Sequence, residues 1–302
     1  MHTVKLEIPT LSDFSFHETV HSHGWRDLPP FTWNASQSIL SWPQRLSDGT
    51  IAQITIADDG KGHLVADVDH DVNADEVMRY VNRVLQMDKS LTAFHTYCTA
   101  TPGLEHVVRR KQGRLLRSPS LFEDVVRVIL TTNTTWAQTK AMVGRMCALS
   151  TEEAIEGAMQ PFPTPEMIAA LPFEEFAERA RLGYRNGAVH ALALDIAVGK
   201  LDLEAWNDPA ITHDDLSKRL LSLRGIGPYG AACLMLYLGH GSKVNVDSWA
   251  RMLVSRELGR KVTDKEVYEF FASYGEWQGL VYHFYDWKHE QEGAATGVVT
   301  PA

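Results

Sequence analysis

The chain is 302 residues long, 44% hydrophobic and 22% charged, with a formal net charge of −9. That length supports one large domain or two smaller ones with a substantial core, while the negative balance excludes nucleic-acid binding driven by overall charge and leaves only local patches for such a partner. No apolar run reaches the roughly 18 residues that a membrane span needs, and the start Met-His-Thr-Val-Lys-Leu-Glu lacks a charged-then-apolar leader pattern, so an intracellular protein, not a secreted one, is expected.

The N-terminal part reads as β. Residues 3–8, 38–42, 50–56 and 62–68 are short runs enriched in β-branched side chains. Asp58-Asp-Gly-Lys-Gly between the last two is a turn signal that predicts a hairpin. From Ala74 the apolar period lengthens: Val77, Val81, Val84 and Leu85 fall on one helical face, and helical patterning continues almost to the end. Ser120 with Glu123, Thr164 with Pro165, and Thr263 with Glu266 mark helix starts, and Gly183, Gly199 and Gly259 mark stops. This divides the chain into a sheet domain over 1–75, a helical core over 76–289 and a small, polar tail over 290–302 that is expected to be disordered. The fold class is α+β.

Between these landmarks, Arg109, Arg110, Lys111, Arg114 and Arg117 form a basic run that is either a phosphate-contacting patch or a solvated surface. Cys98, Cys147 and Cys233 are the only cysteines and no two are close in sequence. Three thiols cannot complete a four-cysteine iron–sulfur site, so no iron–sulfur cluster is expected. His213, His240 and His283 do not have zinc-ligand spacing.

The most informative stretch is Leu223-Arg-Gly-Ile-Gly-Pro-Tyr-Gly-Ala231, set between two apolar helical segments and followed by Asn245-Val-Asp-Ser-Trp-Ala-Arg251. Gly225 and Gly227 permit a tight turn with positive φ and an uncovered backbone, and Pro228 suits the first turn of the second helix. Free amides at that helix start form a nest suited to a phosphate. Asp247 precedes an apolar-periodic run and reads as a helix N-cap; from the residues alone, capping is a sufficient account of it.

Together these segments resemble the helix-hairpin-helix (HhH-GPD) DNA glycosylases, and the match extends through 112–125, 129–140 and Gly183-Tyr-Arg185. It is similar in particular to the 8-oxoguanine and 3-methyladenine II groups, covers about 1–287 and is weakest before residue 75. The resemblance implies an N-terminal antiparallel sheet of the TBP-like kind, followed by an all-helical glycosylase core with the hairpin at about 213–238. It also implies a double-stranded DNA partner carrying a damaged base, a monomeric enzyme, and a backbone site for K+ or Na+ at Leu221, Leu223 and Ile226.

The resemblance further assigns Asp247 as the catalytic carboxylate, which would stabilise positive charge on the sugar and orient or deprotonate water as the N-glycosidic bond breaks. Asn133 matches the position that fills the gap left by an extruded base, and Tyr184 and Arg185 match positions that wedge beside and contact its unpaired partner. Gln138 stands where the 8-oxoguanine enzymes have a second arginine. The bifunctional relatives carry a lysine where this chain has Tyr229, and a phenol cannot form a Schiff base, so the expectation is monofunctional base removal without lyase action. Cys233 matches a pocket-lining position. Gly279 and His283 stand approximately where a glutamine and a phenylalanine clasp 8-oxoguanine. Tyr229, Trp136, Trp277 and Tyr282 could supply aromatic faces that attract cationic alkylated bases. Alkylated purines lead the expectation. An 8-oxoguanine or mismatch enzyme with an altered pocket, and a non-catalytic DNA-binding protein, stay open as alternatives.

Overall fold

The computed structural model describes residues 4–150 and 159–287. Strands β1 (Val4–Pro9), β2 (Thr32–Asn34), β3 (Ile39–Arg45), β4 (Ile51–Asp58) and β5 (His63–Val68) form a five-stranded sheet in the order β1-β5-β4-β3-β2. Every neighbouring pair is antiparallel, and β4 and β5 form the expected hairpin. The cause is period-2 alternation: Leu40, Trp42, Ala52, Ile54, Ile56, Leu64, Ala66 and Val68 are fully buried, while their strand neighbours other than Pro43 are more exposed. The three-residue β2 escapes a periodicity reading because it is too short to show one. Strand β3 runs on through Pro43, which lies past the end of β2, where the absent N–H costs no ladder bond on that side.

The helices are α1 (Phe16–Val20), α2 (Ala74–Leu85), α3 (Thr92–Ala100), α4 (Glu105–Arg109), α5 (Leu121–Thr131), α6 (Trp136–Cys147), α7 (Pro165–Ala169), α8 (Phe173–Ala180), α9 (Asn186–Ala197), α10 (His213–Ser222), α11 (Pro228–Tyr237), α12 (Ser248–Leu258), α13 (Asp264–Phe271) and α14 (Gln278–His283). None among the described residues is long and apolar enough to cross a membrane. Val77, Val81, Val84 and Leu85 are fully buried on one face of α2. The three expected caps are present: Ser120, Thr164 and Thr263 each accept from the amide three residues on. Only Thr263 closes a reciprocal box with its glutamate, because Glu123 turns inward instead. Gly259 is the left-handed cap of α12 and Gly199 follows the end of α9 with φ 71°. Gly183 is not a helix stop. Arg181 takes the left-handed cap of α8 at φ 50°, and Gly183 opens a 3-10 turn, Gly183–Arg185.

Packing divides the chain into two compact units, one of residues 1–89 with 114–205, the other of 90–113 with residues from 206 onward. The boundary near residue 75 is therefore not a boundary of packing: the sheet shares its unit with α2 and α5 to α9, while α3 and α4 pack with the unit that contains α10 to α14. The tail at 290–302 lies outside the described residues.

In the first unit α5 is buried along its whole length, Leu121 to Leu130. Its three charged residues are paired internally, as burial requires. Arg127 bonds Glu123 one turn back, donates to the Pro29 carbonyl at 3.0 Å, and lies over the rings of Trp25 (5.3 Å) and Phe31 (5.0 Å). Asp124 accepts from Arg117 Nη2 at 3.1 Å and from the Ser118 amide at 2.8 Å. The expected basic run is thereby dissolved. Arg117 is spent on Asp124, and Arg114, 1% exposed, donates to the carbonyls of Asp13, Gln86 and Lys89 and to the Asp13 carboxylate. Only Arg109, Arg110 and Lys111 are exposed.

Burial, opposed by Arg127, pushes the Glu123 carboxyl up to about 7 from its ordinary 4.5. A group whose folded pKa is raised holds its proton more tightly in the folded state, so its contribution to stability is fully present below about pH 4.5 and is lost as pH rises through about 7. Urea unfolding of the wild type is expected to show this decline between the two values, and Glu123→Gln to flatten it. Arg127→Met, which strands a buried carboxyl, is expected to cost about 3–5 kcal/mol.

Candidate functional site

In the second unit α10 and α11 form the helix-hairpin-helix, with boundaries matching the expected 213–238. The turn is tight for one glycine's sake: Gly225 takes φ 89°. Gly227 instead has φ −100°, an extended N-cap conformation that other residues also adopt, and a side chain there would meet open space. Its role is to leave the backbone uncovered. Pro228 occupies the first turn of α11, and no side chain caps that end, so the leading amides of a ten-residue helix are left for an external acceptor. The Leu223 carbonyl accepts from the Ile226 amide at 3.1 Å inside the turn.

Asp247 is the N-cap of α12, its Oδ1 accepting from the Ala250 amide at 2.8 Å. Capping engages one oxygen and leaves the carboxylate lone pairs to do more. Tyr229 and Cys233, one turn apart on α11, are within electrostatic range of the Asp247 carboxylate. Cys233, burial and the Asp247 charge all push the Tyr229 phenol well above its ordinary range, and burial pushes the Cys233 thiol up to about 12. Both side chains are thus neutral near pH 7. The side chains of Tyr229 and Asn245 act against that burial and lower the Cys233 thiol. Asn245 stands two residues before Asp247 with its Oδ1 buried, and nothing in its spacing marks it.

Gly279 packs against the loop that precedes Asp247. Its amide donates to the Gly241 carbonyl at 2.7 Å, and a Cβ there would collide with the carbonyls of Lys243 and Gly241. Gln278 Nε2 donates to the Ser242 carbonyl at 2.5 Å. The glycine at 279 is thus a packing requirement of the loop leading to Asp247, and no recognition side chain could stand there. Trp277 is half-buried, 5.4 Å from Phe94 and 6.3 Å from Tyr97. His283 ends α14, half-buried, with its ring 4.9 Å from that of Phe284.

The remaining candidates lie in the first unit. Asn133 follows α5 with a left-handed φ of 49°, is exposed, and points Nδ2 at the Tyr184 hydroxyl 3.5 Å away. Tyr184 is 68% exposed, its phenol pKa lowered by hydrogen bonds with Thr132 and then Asn133. Arg185, by contrast, is 7% exposed. It donates to the Thr132 and Asn133 carbonyls, and its guanidinium lies 4.4 Å from the Tyr184 ring centroid. The structure therefore brings Asn133, Tyr184 and Arg185 together but presents only the first two. Gln138 is exposed, with its amide oxygen accepting from the Thr135 amide and the Thr134 hydroxyl in a reciprocal capping box. Trp136, half-buried, begins the same helix α6. A separate cavity of about 600 Å³ in this unit, walled by residues including Pro43, Pro119, Phe122, Phe162 and Ile196, contains none of the candidate residues.

No family model matches the chain. It is 26% identical over 230 residues to the DNA-3-methyladenine glycosylase of Bacillus subtilis (strain 168), covering 71% of this chain and 72% of that protein. Among solved structures it superimposes on MBOgg1 in complex with a low-affinity DNA ligand with a TM-score of 0.72 at 19% identity, over 96% of each chain. The 3-methyladenine DNA glycosylase from Archaeoglobus fulgidus gives 0.68 at 17% identity, over 94% of this chain and 97% of that one. The sheet followed by helices is the fold that these proteins share with this chain, and the resemblance to the helix-hairpin-helix glycosylases read from the sequence holds.

The two hairpin glycines are expected to respond differently to alanine. Gly225→Ala, strained at positive φ, should lower unfolding free energy by about 1–2 kcal/mol, whereas Gly227→Ala should stay within about 0.5 kcal/mol of the parent in the same denaturant titration.

Proposed function

We propose that this chain is a monofunctional DNA glycosylase that hydrolyses the N-glycosidic bond of a damaged base, with alkylated purines as its substrate class. The observation that carries the reading is the placement of Asp247. The carboxylate stands at a helix start within electrostatic range of Tyr229 and Cys233, on the segment that follows a hairpin with uncapped helix amides. Binding alone has no use for a carboxylate in such a place, because phosphates repel it. Base removal does, because the sugar becomes cationic as the bond breaks and an adjacent anion stabilises that charge while orienting or deprotonating water.

The hairpin amides would hold a phosphate 3′ or 5′ of the lesion without reading sequence. The backbone carbonyls of Leu221, Leu223 and Ile226 are oxygen donors of the kind a monovalent cation takes, and such an ion would steady the turn. Asn133 and Tyr184 would enter the duplex where the base has left it.

Two features of the pocket support the choice of substrate. Tyr229 and Trp277 offer half-buried aromatic faces, which favour a base made electron-poor or cationic by alkylation. Gly279 leaves no room for a side chain that clasps 8-oxoguanine at that position. Tyr229 also decides the outcome after base loss. A neutral phenol supplies no amine to attack the sugar carbon, so water is the nucleophile and the strand stays intact.

Duplexes carrying one alkylated purine, 8-oxoguanine, hypoxanthine, uracil or mismatched thymine are expected to be cut only after alkali, the alkylated purine fastest. Strand cuts without alkali would refute the Tyr229 argument, and silence on every lesion would favour a non-catalytic DNA-binding protein. Asp247→Asn keeps an N-cap of equal quality and is expected to retain duplex affinity while losing about 100-fold or more in excision rate.

A further inference from the structure

Arg185 is placed beside the wedge but turned away from solvent. Resting on the glycosylase reading above, we infer that Arg185 is a positioning residue for the DNA-opening pair Asn133 and Tyr184, and not a reader of the unpaired base.

The argument is one of hydrogen-bond and charge accounting. Helix α5 ends at Thr131 with Thr132 as its cap, leaving carbonyls that no intrahelical amide can satisfy. Arg185 donates to two of the carbonyls there, those of Thr132 and Asn133, and sets a positive charge against the negative end of the helix dipole. A third contact reaches the Leu182 carbonyl at 3.5 Å. The same guanidinium lies under the ring of Tyr184 at 4.4 Å, the range in which a cation and an aromatic face attract. One side chain thus secures both the carbonyl of Asn133 and the ring of Tyr184.

That support is needed because both wedge residues are otherwise poorly held. Asn133 is exposed and sits at a left-handed φ of 49°, which asparagine tolerates but which does not by itself fix where its side chain points. Tyr184 is mostly exposed and has only hydrogen bonds with Thr132 and Asn133 to orient its hydroxyl. For Arg185 to reach a base it would have to abandon both carbonyls and the ring at once. Its Nε, which has no acceptor, is itself buried.

The test separates orientation from readout. Wild type, Arg185→Ala, Tyr184→Ala and the double variant are assayed for excision of the preferred lesion opposite each of the four bases. Duplex opening is followed in parallel by 2-aminopurine fluorescence beside the lesion. Arg185→Ala is expected to lower excision about 10–100-fold by the same factor opposite every base and to abolish the fluorescence rise. Adding Tyr184→Ala should then cost little more, since one unit is already disabled. A changed ranking of opposite bases, a normal fluorescence rise, or losses that multiply would overturn the inference. If thermal melts show that Arg185→Ala does not fold, Arg185→Lys decides by the same criteria: it keeps the charge but not the fork that spans two carbonyls. A wild type that neither excises any lesion nor opens the duplex would bring down the glycosylase reading itself, and this inference with it.

Discussion

Helix α5 is enclosed on every side, so its ionised groups have no water to turn to and must be satisfied by the protein. That single requirement organises most of the first unit. Arg127 is paired along its own helix and gripped by two aromatic rings and the Pro29 carbonyl, which ties the helix to the segment leading into β2. Asp124 fixes the approach from Arg117 and Ser118. At its N-terminus the amides of Leu121 and Phe122 donate to Glu204, and at its C-terminus the carbonyls of the turn are held by Arg185. The exposed pair Asn133 and Tyr184 therefore stands at the end of a rod whose position is determined along its full length.

The second unit solves a different problem, bringing a carboxylate to a defined place without a rigid rod behind it. Here backbone does the work. A left-handed glycine turns the chain at the hairpin, an uncapped helix start leaves amides open, and a glycine with no space for a side chain packs against the loop that ends in Asp247. The net charge of −9 is compatible with this design. Backbone amides and dipoles attract anions without any formal charge, and two of the five residues in the basic run, Arg114 and Arg117, are spent on internal ion pairs.

The pattern of what the sequence disclosed follows from the range of each interaction. Alternation in β3 to β5, the apolar face of α2 and the caps at Ser120, Thr164 and Thr263 are local, and residues within a few positions determine them. So was the hairpin, through its Gly-x-Gly-Pro spacing. Strand β2 was invisible because three residues carry no period. Arg114 and Arg117 were misread as surface because their partners, Asp13 and Asp124 among them, are chosen by the fold. Arg185 matched a motif position, yet its burial depends on carbonyls some fifty residues away in the chain. Gly183 failed as a stop because Arg181 takes the left-handed position first, a competition that residue preferences alone do not settle. Asn245 falls under the same limit as the arginines, since its proximity to Cys233 is set by tertiary packing.

The packing of Gly279 against the loop at 241–243 bears on how this chain could change over generations. Any larger residue at 279 would displace the very segment that carries Asp247, so a variant gaining a contact there would surrender the carboxylate's position in the same step. Adaptive paths through that wall are closed at the first mutation. On the function proposed above, variation in what the site accepts falls instead to positions whose side chains already occupy space, Tyr229, Cys233 and His283, where size and polarity can be exchanged with the backbone left in place.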